Sequence, residues 1–454
     1  MKLPEKIAAI LDRLERRGYE AWVVGGCVRD DLLGIAPHDY DICTSALPEQ
    51  TQEVFSDHRL VLAGVKHGTV GVIEDGEVAE ITTFRTEGDY QDSRHPGWVK
   101  FVPTITQDLS RRDFTCNAMA YSPVRGYADP FGGAEDLKKK ILRAVGDPRK
   151  RFEEDALRIL RGMRFSARFH LKPEPETEQA MLAERGRLDD IARERVMEEF
   201  SGFLVLADTR DLLRWAPIVG QVVKPLADAI GFDQHSPHHA YDVYTHTAHV
   251  TAALPRDALM RWTGLLHDVA KPACFSQDET GRGHFVGHAQ VGAQMADEIL
   301  TELRSPNAMR EEVCWLISHH MNFYPAEEKT ARRLLSRHGK DRLERLLTLQ
   351  MADWGSKGIP VDEEIPNSLV ALWNCVEDLS EREGALTLKT LAVDGRDLLA
   401  LGYAPGPQLG DTLKRLLNLV INGSLPNGKE PLLRQASLFL HEKEPEKDGA
   451  WKSV

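Results

Sequence analysis

The stretch Ala21-Trp22-Val23-Val24-Gly25-Gly26-Cys27-Val28-Arg29-Asp30-Asp31, followed by His38-Asp39-Tyr40-Asp41-Ile42, decides how the chain is built. The apolar run reads as a short strand. The glycines that close it have no side chains to keep backbone N–H groups away from phosphate oxygens at a helix start. Asp39 stands thirteen residues after Gly26, with Asp41 two further on. On an extended segment alternate side chains share a face, so these carboxylates would project together about 7 Å apart, a spacing that suits one or two divalent ions. Two such ions would hold a triphosphate and activate a hydroxyl, which points to nucleotide transfer. A lone Asp-x-Asp or Gly-Gly is common in turns and on strand edges, so the weight rests on the ordered series of motifs downstream.

Residues 69–73 and 78–84 flank Asp75-Gly76, a hairpin signal, and the second run carries Glu80 on the face it shares with Thr82. Glu80 would serve as a third metal carboxylate or as an outward polar residue of an antiparallel strand. Further along come Arg111-Arg112-Asp113-Phe114-Thr115-Cys116-Asn117-Ala118, Asp129-Pro130-Phe131-Gly132-Gly133, and a helical stretch with Glu154-Asp155-Ala156-Leu157-Arg158-Ile159-Leu160-Arg161.

In this order these motifs, with Ala192-Arg193-Glu194-Arg195-Val196-Met197-Glu198-Glu199-Phe200, resemble the bacterial class II tRNA nucleotidyltransferases, which include CCA-adding, CC-adding and A-adding enzymes and poly(A) polymerases. The resemblance runs from about residue 18 to 200. It implies that Asp39 and Asp41 hold Mg²⁺ and that Gly25, Gly26, Arg29, Arg111, Arg112, Asp113, Asn117 and Arg161 bind nucleotide. It also implies that Asp155 and Arg158 read the incoming base. Residues three apart share a helix face, and a carboxylate beside a guanidinium offers acceptors and donors together. Without the other motifs, that pair would read as a surface ion pair. Residues 85–96 resemble the family's loop for the final adenosine, which argues against a CC-only enzyme; by composition they are a surface loop.

Ten of the seventeen histidines fall between residues 235 and 320. The segment His238-His239-Ala240-Tyr241-Asp242 precedes Thr245-His246-Thr247, then Leu266-His267-Asp268-Val269-Ala270-Lys271, then His288, His319-His320 and Asp353. This resembles an HD domain. The resemblance maps a metal shell onto His246, His267, Asp268 and Asp353, with His288, His319 and His320 left for a second ion or a phosphate. Histidine and carboxylate ligands from separate helices suit a divalent metal that hydrolyses phosphate esters, although a single helical histidine is more often a surface or core residue.

Residues 1–145 alternate helix and strand signals and the rest reads as helical, so the expected class is α+β: a small mixed sheet with helices, then all-α regions. The expected division is a catalytic head (1–145), a base-reading neck (146–230), an HD domain (231–355) and a helical tail for the tRNA elbow (356–454). The net charge of −13 is awkward for an RNA-binding chain. Residues 138–168, however, carry eleven Lys and Arg against four acidic residues, and this stretch reads as an RNA path or a solvated helical face. Six scattered cysteines signal neither a zinc knuckle nor a disulfide framework, and no apolar run approaches the roughly 20 residues a bilayer needs. The expected enzyme is cytoplasmic, uses CTP, ATP and the tRNA 3′ end, and depends on Mg²⁺ with a second divalent metal in the HD region. The alternatives are an A-adding enzyme, a poly(A) polymerase, or an HD phosphohydrolase with a vestigial transferase domain.

Overall fold

The structure, a computed structural model, describes residues 1–74, 76–87, 99–359, 363–383 and 387–441. Most of the expected adenosine loop (88–96), Asp75 of the hairpin signal and the charged end from residue 442 therefore lie outside the described residues.

The N-terminal strands are β1 (Ala21–Val24), β2 (Asp41–Thr44), β3 (Arg59–Val61), β4 (Thr69–Glu74), β5 (Glu77–Thr83), β6 (Arg85–Glu87), β7 (Val99–Phe101), β8 (Ala120–Ser122) and β9 (Gly126–Ala128). Seven of them form one mixed sheet in the order β3-β4-β5-β2-β1-β8-β9, while β6 and β7 pair separately. Within the sheet β2 and β5 run parallel and every other pairing is antiparallel. All four residues of β1 are buried, as a central strand requires. The helix Glu5–Arg16 covers the sheet with Ile7, Ile10, Leu11 and Leu14, a three-and-four spacing that makes one apolar stripe.

Beyond residue 146 the chain is almost wholly helical, so the observed class is the α+β class expected. Asp147 caps the helix Pro148–Glu154 by accepting from the Arg149 amide at 3.0 Å, and Pro148 fills a first-turn position that needs no N–H. The helix Leu157–Phe169 packs against Arg193–Leu206. At Gly162 it comes so close to Phe114 that an added Cβ would lie 2.8 Å from the ring. The His-rich region is built from the helices Val243–Ala253, Ala258–Leu266, His288–Glu302, Asn307–His319 and Lys340–Gly355.

One continuous apolar cluster runs from Ile7 to Ile317, so sheet, neck and part of the His-rich region share a core. A separate cluster from Leu391 to Ala436 lies beneath the last three helices, where the Tyr403 hydroxyl donates to the Ala436 carbonyl at 2.7 Å. Among the described residues, no helix is long and apolar enough to cross a membrane.

Candidate active sites

Strand register assembles the first site. Ile42 of β2 pairs in parallel with Ile81 of β5, so one step earlier Asp41 stands level with Glu80. Both line a cleft of about 1140 Å³ that also takes in Gly26, Arg29, Arg111, Arg112, Asp113, Asn117, Asp155, Arg158 and Arg161. Asp39 departs from the expected geometry. β2 begins only at Asp41, and Asp39 lies in the exposed loop before it, so the two carboxylates do not share a strand face. Gly34, with φ 71°, closes the helix Gly26–Leu32 in the left-handed region, and Pro37 has no N–H to give a ladder in the loop that follows. Crowding by the surrounding protein pushes the Asp41 carboxyl above its ordinary value; Arg112 pulls it down, and the charge of Asp39 raises it again. Gly25 has φ 74°, and an added Cβ would sit 2.6 Å from Arg112 Nη1, so both conformation and space ask for glycine.

The floor of the cleft is an ordered polar network. Arg29 Nη1 donates to Asn117 Oδ1 at 2.5 Å, Asn117 Nδ2 donates to Asp113 Oδ1 at 3.0 Å, and Arg161 Nε donates to Asp113 Oδ2 at 2.9 Å. Burial alone would raise the Asp113 carboxyl, but Arg161 and Asn117 overcome it and hold the group at about 2. The Arg29 guanidinium lies over the rings of Phe169 and Phe165 at 4.5 and 5.4 Å. Asp108, fully buried below the cleft, binds Arg111 Nη2 at 3.0 Å and Arg112 Nη2 at 3.7 Å, which fixes where both arginines start.

Asp155 and Arg158 line the cleft together, but not as neighbours on one helix. Asp155 is extended (φ −148°) between the helices ending at Glu154 and beginning at Leu157, and its Oδ1 accepts from the Leu157 amide at 3.0 Å. Short polar side chains prefer such cap positions to helix interiors. The two do not pair with each other: Arg195 Nη2 lies 3.5 Å from Asp155 Oδ2, and Arg158 Nη1 lies 2.9 Å from Glu154 Oε2. Sequence reading missed Arg164 and Arg168, which also line the cleft. Their signal was available, since Arg161, Arg164 and Arg168 recur at the three-and-four spacing of one helix face. The cleft thus gathers nine arginines against six carboxylates, a strong preference for polyanions in a chain of net charge −13.

The second site lies among the His-rich helices. His246 Nε2 is 3.0 Å from Asp353 Oδ1 and 3.6 Å from Asp268 Oδ2, and His267 Nε2 is 3.1 Å from Asp268 Oδ2. On the other side of Asp268, its Oδ1 is 3.4 Å from His288 Nε2 and 3.9 Å from His320 Nε2, and these two nitrogens are 3.3 Å apart. His319 turns away instead and stacks on Trp315 at 4.2 Å. In each inward-facing ring the other nitrogen meets a backbone carbonyl: His246 at Ser356, His267 at Gly264, His288 at Phe285 and His320 at Ile317, over 2.6–3.2 Å. A carbonyl only accepts, so Nδ1 carries the proton and Nε2 presents a lone pair.

Four lone pairs and two carboxylates facing one another call for positive charge. Burial opposes a proton on His267, yet Asp268 and then Asp353 raise its pKa above the ordinary value. His267 Nε2 and Asp268 Oδ2 are buried without a well-directed hydrogen bond. His246, His267 and Asp268 form one group able to hold a cation, and Asp268, His288 and His320 form a second that shares the aspartate. The donor set fits divalent transition metals.

Residues 21–143 match the family model described as the poly A polymerase head domain, and residues 238–355 match the HD domain. The CCA-adding enzyme of Geobacillus stearothermophilus is 33% identical over 435 residues, covering 95% of this chain and 96% of that one. The CCA-adding enzyme of Lactobacillus helveticus is 34% identical over 449 residues, with 95% and 97% covered. Among solved structures, the Bacillus stearothermophilus CCA-adding enzyme in complex with CTP superposes with a TM-score of 0.64 at 28% identity, covering 97% of this chain and 98% of that one. With a third of its residues shared across nearly the full length of such relatives, the chain belongs to the CCA-adding enzyme family of nucleotidyltransferases.

Proposed function

We propose that this enzyme builds the CCA end of tRNA, attaching C, C and A from CTP and ATP without a nucleic-acid template and releasing pyrophosphate. The observation that carries the reading is a single cleft joining the Asp41–Glu80 pair to a field of arginines and to Asp155 and Arg158. Its relatives are CCA-adding enzymes along their whole length, and the solved relative at 28% identity holds CTP.

Enzymes of this family use divalent metal, and Asp39, Asp41 and Glu80 are the residues that would hold it here, Mg²⁺ by their all-oxygen chemistry. The bound ions supply a more acidic 3′-hydroxyl and charge compensation at the leaving group. The chain's own residues do the rest. Gly25 and Gly26 let the backbone approach the triphosphate, while Arg111 and Arg112 offset its charge. Arg29, Asn117, Asp113 and Arg161 form a rigid floor under the sugar. Asp155 and Arg158 meet the base. Cytosine and adenine both set an exocyclic amine beside a ring acceptor, which one carboxylate and one guanidinium can match, whereas guanine and uracil reverse that pattern. The tail from residue 356 would hold the tRNA elbow, with the head, neck and HD regions divided near residues 145, 230 and 355. All six cysteines are free thiols, in keeping with the reducing cytosol.

The test presents the protein and Mg²⁺ with tRNA transcripts ending at the discriminator base, at C and at CC, with CTP, ATP or both, and resolves products to single nucleotides. Completion of CCA on all three, followed by a stop, is expected. Extension of the CC-ended transcript alone would reassign the protein as an A-adding enzyme, and long A tracts as a poly(A) polymerase.

The convergence of His246, His267, Asp268, Asp353, His288 and His320 favours a second activity, metal-dependent hydrolysis of phosphate esters at damaged RNA ends. Metal-loaded protein should release phosphate from a 3′-phosphorylated RNA or open a 2′,3′-cyclic phosphate. Turnover of neither would remove this reading and leave nucleotide addition untouched.

A further inference from the structure

Phe323 leaves its ring in the open beside the His-Asp centre. Among the described residues three aromatic side chains are exposed, Phe101, Tyr127 and Phe323. Two have local reasons: the Tyr127 hydroxyl donates to Asp31 at 3.0 Å, and Phe101 packs against the turn at Gly68. Phe323 is 41% exposed, three residues after the inward-facing His320. Buried Gln350 holds the two in one geometry, since its Nε2 donates to the His320 carbonyl at 3.0 Å and to the Asn322 carbonyl at 2.9 Å. The Phe323 ring meets Trp354, the residue after Asp353, at 6.2 Å between centroids and 76° between planes. Near-perpendicular rings touch edge to face, so the contact covers at most one face of each. Lys357 Nζ rests 3.3 Å above the Trp354 ring centroid, and the carboxylates of Asp353 and Asp268 both act on it, which puts the aromatic pair at the rim of the centre. Met321, directly after His320, and Val286, two before His288, are exposed as well. Exposed apolar side chains thus flank both His288 and His320, and such a grouping marks a binding surface where a lone exposed residue would not.

The ester that fits the centre narrows what covers this surface. In a phosphorylated RNA end the base is joined to the same ribose that carries the phosphate, so the base reaches the rim whenever the phosphate enters. An open aromatic ring at that place matches the flat π-face of a base. We infer that Phe323, braced by Trp354, stacks the terminal base of an RNA whose phosphate ester is held at the HD centre. Stacking uses a face that all four bases share, so the platform selects nucleoside esters over other phosphate esters without choosing among bases. The inference rests on the hydrolase reading above and assigns to that site its recognition of the nucleoside.

The test uses the full-length protein loaded with divalent metal and short RNAs that end in a 3′-phosphate or its 2′,3′-cyclic ester. The last nucleotide carries A, C, G or U, or is an abasic ribose with hydrogen in place of the base. Phe323→Ala should raise KM for the base-bearing RNAs on the order of tenfold, the scale of losing one base–aromatic stack, with kcat, metal content and the KM of the abasic RNA unchanged. Phe323→Trp should restore the wild-type KM, and the four bases should agree within a few fold. Photocrosslinking of an RNA that ends in 5-iodouridine 3′-phosphate should attach to Phe323 or Trp354. An unchanged KM in Phe323→Ala would overturn the platform while the hydrolase reading stands. An equal loss on abasic and base-bearing RNA would overturn it too, by making Phe323 structural, as would a strong preference for one base or attachment only to residues of the nucleotide cleft. A metal-loaded wild type that turns over none of these RNAs would overturn the hydrolase reading and the platform together.

Discussion

At Asp113 burial and charge pull in opposite directions, and the outcome leaves a pH signature. The carboxyl is held at about 2 against an ordinary 3.8, so the folded state prefers it ionised. A depressed carboxylate contributes stability that is fully present above about pH 4 and is lost as pH falls towards 2. At about 1.4 kcal/mol per unit, the contribution is roughly 2 kcal/mol. Asp113→Asn should destabilise the protein by about 3 kcal/mol at neutral pH, because Arg161 loses its buried partner. Urea unfolding at pH 7 and at pH 2.5 should show the gap between variant and wild type narrowing in acid, and a constant gap would contradict this role. At the cleft, Asp41→Ala should lower nucleotide addition by about a thousandfold or more, the scale of losing a metal ligand at a phosphoryl site, and leave phosphate-ester hydrolysis unchanged. Extension of RNA at the wild-type rate would remove Asp41 from the metal set.

Among the elements, the packing of the helix Leu157–Phe169 on Phe114 couples the base-reading segment to the sheet. Gly162→Ala would gain about 1 kcal/mol of helix propensity, yet its Cβ would fall 2.8 Å from Phe114 Cζ and 3.0 Å from Met181 Cε. Overpacking a tight interior costs about 1–3 kcal/mol, and Phe114 is fully buried, so the clash should win. A urea midpoint below wild type is expected; a higher one would mean the interface has slack. This scale also separates what the sequence made legible from what it did not. β1, the glycine turn and the β4–β5 hairpin were readable because apolar runs and glycines report local geometry. The break between Glu154 and Leu157 was not, because no glycine or proline marks it: Asp155 leaves the helix to cap the Leu157 amide, with Arg195 3.5 Å from its other oxygen. The two-residue alternation read for Asp39 and Asp41 does not apply as drawn, because β2 begins at Asp41 and Asp39 lies in the loop just before it.

For the whole molecule, the acidic total and the basic cleft make separate claims on RNA. Lys138, Lys139 and Lys140 are all exposed, beside the stretch that supplies the cleft arginines. Replacing the three with alanine should lower the steepness of tRNA binding against salt by about two, at roughly 0.7–0.9 for each phosphate no longer neutralised, as measured by titrations between about 50 and 200 mM salt. An unchanged slope would take this face out of the RNA path. The His-rich centre was legible as residue types clustered in sequence, whereas the split between inward-facing His320 and outward-facing His319 depends on helix phase and on Trp315, which no spacing rule ranks. The rings that do face inward share one device. His267, His288 and His320 each donate to the main-chain carbonyl three residues earlier. Every residue type carries that carbonyl, so no side-chain replacement in the surrounding helices can delete the acceptor. The orientation of these three rings is therefore insulated from side-chain replacement in the surrounding helices.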